Sequence, residues 1–258
     1  MIKIASGWSD KGGSTMAFIA LTNELNKNGY ETVFYGPHQW HLDKCKSGMI
    51  GDIVINEDDI LICHFLQLPN RPNAKKVILH CHEKDLFEVG QVHQYWDEVV
   101  FINEKHRLYH SKYENAFSII PNLKPALNKI EKQHLAKVAG IVGSFDENKQ
   151  THISIQRAMA DDCDMVYLFG EPKGEYYERF VKPLCNDKVI VRGFLNDKQE
   201  LYDSIGCVYH SSKSEVACLV KDECEITGTV FHGNESTDYP NVLMNNDEII
   251  QKWIEIIS

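Results

Sequence analysis

The feature that most constrains this chain is its regular alternation of short β-branched runs with amphipathic stretches, the pattern of β-α-β units feeding a parallel sheet. Ile2–Ala5 reads as a strand, and Ser14–Asn28 as the helix that follows it, because Phe18, Leu21, Thr22 and Leu25 share one face and Gly29 supplies a stop. Thr32–Tyr35, Asp59–Cys63, Lys76–His80 and Glu98–Ile102 are further buried-looking strands, so the first half predicts one doubly wound sheet. The run Ile120-Pro-Asn-Leu-Lys-Pro125 and the polar, lysine-rich stretch after it break the pattern, since proline ends both element types.

A second series then begins. Strands are expected at Val138–Val142, Met165–Phe169, Val189–Val191, Cys207–Tyr209 and Thr229–Phe231, with helices around His152–Ala160, Lys198–Ser204 and Leu219–Ile226. Asp247–Ile257 places Ile249, Ile250, Trp253 and Ile257 on one face and reads as an amphipathic terminal helix. The expected fold class is therefore α/β, with two Rossmann-like doubly wound parallel-sheet domains facing across a cleft. Their bounds are residues 1–125 and 138–245, joined by a linker at 126–137 and followed by a helix at 246–258. Ligands of such sheets bind beyond the carboxyl ends of the strands.

Composition excludes several function classes. A formal net charge of −10 over 258 residues disfavours a broad grip on nucleic acid or an anionic membrane, which depends on Lys and Arg. The eight cysteines are scattered singly with no Cys-x-x-Cys spacing, the pattern of buried free thiols. The N-terminus enters a strand directly without a signal-peptide pattern, and no apolar run approaches the roughly 20 residues of a membrane span. A reducing cytoplasm is the expected location.

Three sets of residues carry candidate chemistry. Gly12 and Gly13 lie between the first strand and first helix, where glycine lets a backbone approach a phosphate and the helix N-terminus offers unpaired N–H groups. The same residues would also serve a plain turn with Ser14 as N-cap. Glu215 and Glu223 stand eight residues apart in a strand-turn-helix-strand segment, and a carboxylate accepts two hydrogen bonds from a vicinal diol such as a ribose. His64, His80 and His82 lie at or just after strand ends. His-x-His followed by Glu83 invites a metal reading, but no third cluster of ligands accompanies it, so no metal is expected. The acidic runs Asn56–Asp59 and Asp161–Asp164 precede strands and read as solvated loops.

The segment from Ser211 to Phe231 resembles the Glu-x7-Glu signature of retaining glycosyltransferases of the GT-B fold, the family 4 type, with Gly228 where that family turns into its next strand. Gly12–Gly13 resembles its N-terminal Gly-Gly loop, Ile120-Pro-Asn122 its interdomain segment, Val142–Lys149 its phosphate-binding loop, and Val191-Arg-Gly-Phe194 with Glu200-Leu201 the segment bordering the base. The resemblance spans residues 1 to about 240, in order.

It implies a nucleotide-sugar donor, most simply a UDP-sugar, with no further cofactor required. Glu223 would hold the ribose hydroxyls and Glu215 the transferred sugar. Lys149, with the backbone N–H groups of Leu219 and Val220, would take the diphosphate. Gly12, Gly13, Arg192, Gly193 and Phe194 would complete the donor site, and His64 or His82 would face the sugar or the acceptor hydroxyl. The acceptor would be a glycan, a lipid-linked sugar or another hydroxyl; the acidic charge lowers a nucleic-acid acceptor in rank. The chain departs from the family at Ser144, where Arg is usual, and at Val216 and Cys218, where glycines are usual. Those departures motivate an alternative, a non-catalytic nucleotide-sugar or glycan-binding relative. A nicotinamide-linked oxidoreductase ranks last, since the glycine loop lacks the dinucleotide spacing and Glu31 lies too near to hold a ribose.

Overall fold

A computed structural model describes residues 1–66, 68–84, 95–113, 116–239 and 244–258. The chain forms two compact units, Met1–Leu123 with Val242–Ser258 and Lys124–Asn241.

The first unit is built on a seven-stranded parallel sheet. Its strands are β1 (Ile2–Ser6), β2 (Thr32–Gly36), β3 (Ser47–Met49), β4 (Ile60–His64), β5 (Lys76–His80), β6 (Glu98–Phe101) and β7 (Phe117–Ile119), in the order β3-β2-β1-β4-β5-β6-β7. Helix α1 (Gly13–Lys27) connects β1 to β2, and α2 (Glu104–Tyr109) follows β6. The period-2 rule divides the core. Ile2, Ile4, Phe34, Ile62 and Ile78 meet Phe18, Leu21 and Leu25 of α1 on one face, and Ala5, Leu61, Cys63, Val77, Leu79, Val99 and Phe101 form a second core. Lys3 is buried and bonds Asp59, so the Asn56–Asp59 run is not wholly solvated as expected: its last carboxylate is an interior ion pair.

Helix α7 (Asn246–Ile257) belongs to this first unit. Its start is set by a capping box, with Asn245 Oδ1 accepting Glu248 N–H at 3.0 Å and Glu248 Oε2 accepting Asn245 N–H at 2.8 Å. Ile249, Ile250, Trp253 and Ile257 bury the apolar face against the α1 side of the sheet, each contributing roughly 1.5–3 kcal/mol.

The second unit holds a five-stranded parallel sheet ordered β10-β9-β8-β11-β12. Its strands are β8 (Val138–Val142), β9 (Met165–Phe169), β10 (Val189–Val191), β11 (Cys207–Tyr209) and β12 (Val230–His232). The helices are α3 (Thr151–Ala160), the single turn α4 (Gly174–Tyr176), α5 (Lys198–Asp203) and α6 (Leu219–Thr227). Residues 126–137 are part of this unit: Leu127 and Ile130 pack on the core formed by Tyr202, Ile205, Val208 and Cys224, and Ile130 N–H donates to Thr227 O at 3.1 Å. All eight cysteines are free, six of them buried.

Candidate functional site

In the second sheet β8 pairs with both β9 and β11, and the chain runs outward from β8 on one side and from β11 on the other. The carboxyl ends of β8 and β11 are thus the switch point where a doubly wound sheet opens a crevice. Two loops rise there. The loop after β8 ends in Lys149, and the loop after β11 carries Glu215. Lys149 Nζ donates to Glu215 Oε1 at 2.5 Å, and His210 Nε2 meets the same oxygen at 2.8 Å. Burial would raise the Glu215 carboxyl, but His210 and Lys149 outweigh it and hold the group down at about 2. Glu215 is therefore a buried carboxylate at neutral pH.

Both loops are braced. Asp146 accepts Lys149 N–H at 2.7 Å and the Ser144 hydroxyl at 2.5 Å, while Lys213 N–H donates to Asn148 O at 2.7 Å. Ser144, standing where the resemblance expects Arg, is thus a hydrogen-bond brace within the loop. Arg157 of α3 donates from Nη1 to His210 O and Ser211 Oγ, each at 3.0 Å, and from Nη2 to Gly233 O at 2.8 Å. It fastens the loop after β11 to the one after β12.

Helix α6 starts at Leu219, so the N–H groups of Leu219 and Val220 are in its first turn, where a helix has no internal acceptors for them. The Tyr239 hydroxyl accepts the Cys218 N–H just ahead of it. Gly228, at φ +73, ends the helix in the left-handed conformation that leads into β12. Within the helix Glu223 is 2% exposed; Lys198 bonds its Oε1, and Tyr202 Oη donates to its Oε2 at 2.7 Å. Beyond β10, the exposed Arg192 guanidinium lies 5.3 Å over the Tyr167 ring and Gly193 O accepts Gly170 N–H at 3.1 Å. Phe194 beside them is half-buried.

The first sheet has its own switch point at the ends of β1 and β4, where Ser6 and His64 are register partners. Gly12 is the N-cap of α1 and the helix begins at Gly13, so Ser14 is not the cap. Gly12 N–H donates to Asp10 Oδ1 at 3.0 Å. His64 is the last residue of β4, with Nδ1 2.8 Å from Ser6 Oγ and Nε2 2.9 Å from Glu83 Oε1. Since the Ser6 hydroxyl donates to Trp8 O, it accepts from His64 Nδ1–H. Burial would raise Glu83, but its contacts with His64 reverse the sign and lower it. The His82 ring is 4.4 Å from that of His80 and 5.2 Å from that of His64. Burial depresses His82 well below the usual histidine range, and its Nε2 has no hydrogen-bond partner among the described residues.

No known protein-family model matches the sequence, and no curated protein sequence does. Solved structures do. The Anabaena protein HepE in complex with UDP-glucose superposes with a TM-score of 0.70 at 14% identity, over 99% of this chain and 88% of that one. WaaG, a glycosyltransferase involved in lipopolysaccharide biosynthesis, gives 0.66 at 13% identity over 93% and 82%. A glycosyltransferase from Rickettsia africae gives 0.64 at 13% over 99% and 87%. The fold is GT-B.

In this GT-B chain the residues expected from sequence fall into sets. Lys149 and Glu215 touch; Leu219, Val220 and Glu223 share α6; Arg192, Gly193 and Phe194 cluster beyond β10. Gly12, Gly13, His64 and His82 lie at the carboxyl edge of the first sheet. Sequence reasoning missed His210, Lys198 and Tyr202, which complete the two carboxylate sites, and it weighed Glu83 only as a metal ligand and not as the partner of His64.

It also missed His106 of α2 and His110, the C-cap of that helix, four residues apart. Cys81 Sγ lies 3.6 and 3.9 Å from their Nε2 atoms, a grouping whose i, i+4 histidine spacing was visible in the sequence. Its hydrogen bonds argue against a metal. Ile102 N–H donates to His106 Nδ1 at 3.2 Å, so the ring proton sits on Nε2 and donates to Glu83 O at 2.8 Å, where His110 Nε2 also converges at 3.0 Å. At His210, Glu215 and Cys218, the other such grouping among the described residues, the Lys149 ammonium already sits on Glu215 Oε1, the oxygen that meets His210. No helix among the described residues is long and apolar enough to cross a membrane.

Proposed function

We propose that this protein transfers a sugar from a nucleoside diphosphate sugar, a UDP-sugar by preference, to a hydroxyl of a glycan, a lipid-linked sugar or another acceptor, with retention at the anomeric carbon. The observation that carries the reading is the pairing of Lys149 with Glu215 at the switch point of the second sheet, with buried Glu223 on the following helix. In this reading Glu223 accepts the ribose diol, and Lys149 with the α6 N–H groups of Leu219 and Val220 meets the diphosphate. As the bond to the sugar breaks, negative charge grows on the diphosphate, and those fixed donors stabilise it. Glu215, held ionised, accepts hydrogen bonds from the sugar hydroxyls. Gly12, Gly13, His64 and His82 are assigned to the sugar and acceptor from the first unit, and Arg192, Gly193 and Phe194 to the base. The scheme uses no metal, and the location proposed is the cytoplasm, in keeping with eight free cysteines. The crystallisation of HepE with UDP-glucose supports the donor class.

Isothermal titration of the purified chain with UDP, UDP-glucose, GDP and ADP tests the reading. Binding of UDP that is lost in Glu223→Ala is expected; no nucleotide bound better by the wild type than by that variant would sink it. A second reading, a non-catalytic binder, draws on the engagement of Glu215 Oε1 by both Lys149 and His210 and on Ser144. Release of free glucose or a glycosylated product from UDP-glucose would remove it.

A further inference from the structure

Glu223 is 2% exposed, a carboxylate removed from water, and its two oxygens are each engaged once, Oε1 by Lys198 and Oε2 by the Tyr202 hydroxyl. A carboxylate offers about four lone-pair sites, two on each oxygen. One site per oxygen therefore stays open, the acceptor pattern that fits two neighbouring hydroxyls.

The two partners differ in what else they face. Tyr202 is fully buried with a phenol pushed well above its usual range by burial and by Glu223, so it is a fixed donor inside the protein. The Lys198 side chain is 29% exposed against 2% for that of Glu223, so the lysine forms the solvent side of the pair. Lys198 begins α5, directly after its N-cap Asp197, whose carboxylate accepts Gln199 N–H at 2.8 Å and Glu200 N–H at 3.3 Å; the backbone under the lysine is thereby fixed. An ammonium has three N–H donors and one is spent on Oε1. A ribose hydroxyl that donates to Glu223 presents its own oxygen lone pairs beside the remaining two.

We propose that Lys198 is a ribose-binding residue that works as one unit with Glu223, the carboxylate accepting from the 2′- and 3′-hydroxyls and the ammonium donating to one of their oxygens. The unit selects a ribonucleotide over its deoxy counterparts and leaves the diphosphate and base to other residues. This rests on the donor reading above.

The test is a double comparison by calorimetry, UDP against 2′,3′-dideoxy-UDP, on the wild type, Lys198→Met and Lys198→Arg. Lys198→Met is expected to weaken UDP roughly tenfold, the worth of one charge-assisted hydrogen bond, while dideoxy-UDP binding is unchanged and Lys198→Arg recovers most of the loss. Equal weakening of both ligands would mean that Lys198 only supports the fold, and unchanged preference for UDP would mean that it does not touch the ribose; either overturns the inference and leaves the donor reading standing. Failure of the wild type to bind UDP at all overturns the donor reading itself.

Discussion

Lys149 Nζ and Glu215 Oε1 stand 2.5 Å apart across the switch point of the second sheet, so the cation assigned to the diphosphate and the carboxylate assigned to the sugar form one ion pair. Lys149→Met is expected to weaken UDP binding by about 10- to 100-fold and to leave Glu215 buried against His210 alone. Because folding lowers Glu215 to about 2, its stabilisation is present above the unfolded value near 4.3 and fades as pH falls toward 2. Urea denaturation of the variant should show a loss on the order of 2 kcal/mol at pH 7 that shrinks by pH 3. A gap independent of pH would contradict the assignment of the stability to this pair.

Arg157 touches no residue assigned to the ligand, yet its guanidinium holds His210 O, Ser211 Oγ and Gly233 O. Arg157→Met should therefore raise the UDP dissociation constant while the far-ultraviolet circular dichroism stays native. Affinity equal to the wild type would show that the loop keeps its shape without the clamp.

His80 is buried among Phe18, Trp253 and His82, and neither ring nitrogen has a hydrogen-bond partner among the described residues. Burial first, then the neighbouring His64 and His106, depress it well below the usual range. A histidine lowered by folding supports stability above its unfolded value near 6.5 and withdraws that support as pH falls. His80→Leu is expected to raise Tm at pH 7 and to flatten its decline between pH 6.5 and 4. A lower Tm at both ends would mean that the ring makes a polar contact worth keeping.

A Cβ on Gly7 would lie 2.0 Å from the carbonyl oxygen of Phe65, whose own φ is +48. The close approach joins the ends of β1 and β4, where Gly7 N–H also donates to His64 O at 2.9 Å. Gly7→Ala should cost at least about 2 kcal/mol in denaturant unfolding. Gly51→Ala, where nothing stands within 4 Å of the new carbon, is the control expected to change little.

How much of this could be seen in the sequence depended on distance along the chain. The long strands and α1, α3, α6 and α7 were legible because apolar period and turn residues are local signals. The three-residue strands β3 and β7 were not, since Ser47-Gly-Met49 has no alternation to show and Phe117–Ile119 is a partly exposed edge. Lys149, Glu215 and Glu223 stood out because they lie in short segments whose order could be compared with a family. Their partners did not. Lys198 is 25 residues from Glu223 and sits at an ordinary polar helix start, and only the pairing of β8 with β11 brings Lys149 to Glu215 across 66 residues. His110 and His106 carried a visible spacing, but the carbonyl they share, that of Glu83 in the segment after β5, lies more than 20 residues upstream.

Helix α7 completes the first unit from the far side of the second one in the chain. On a ribosome, residues 124–241 are therefore made before the first sheet receives Ile249, Ile250 and Trp253, and the second unit can fold while the first still waits for its last helix. Until then the apolar face that α7 covers is open to other chains. Completion of the first sheet's unit therefore comes after synthesis of the second, and a stop codon placed after residue 245 would strike the unit that was translated first.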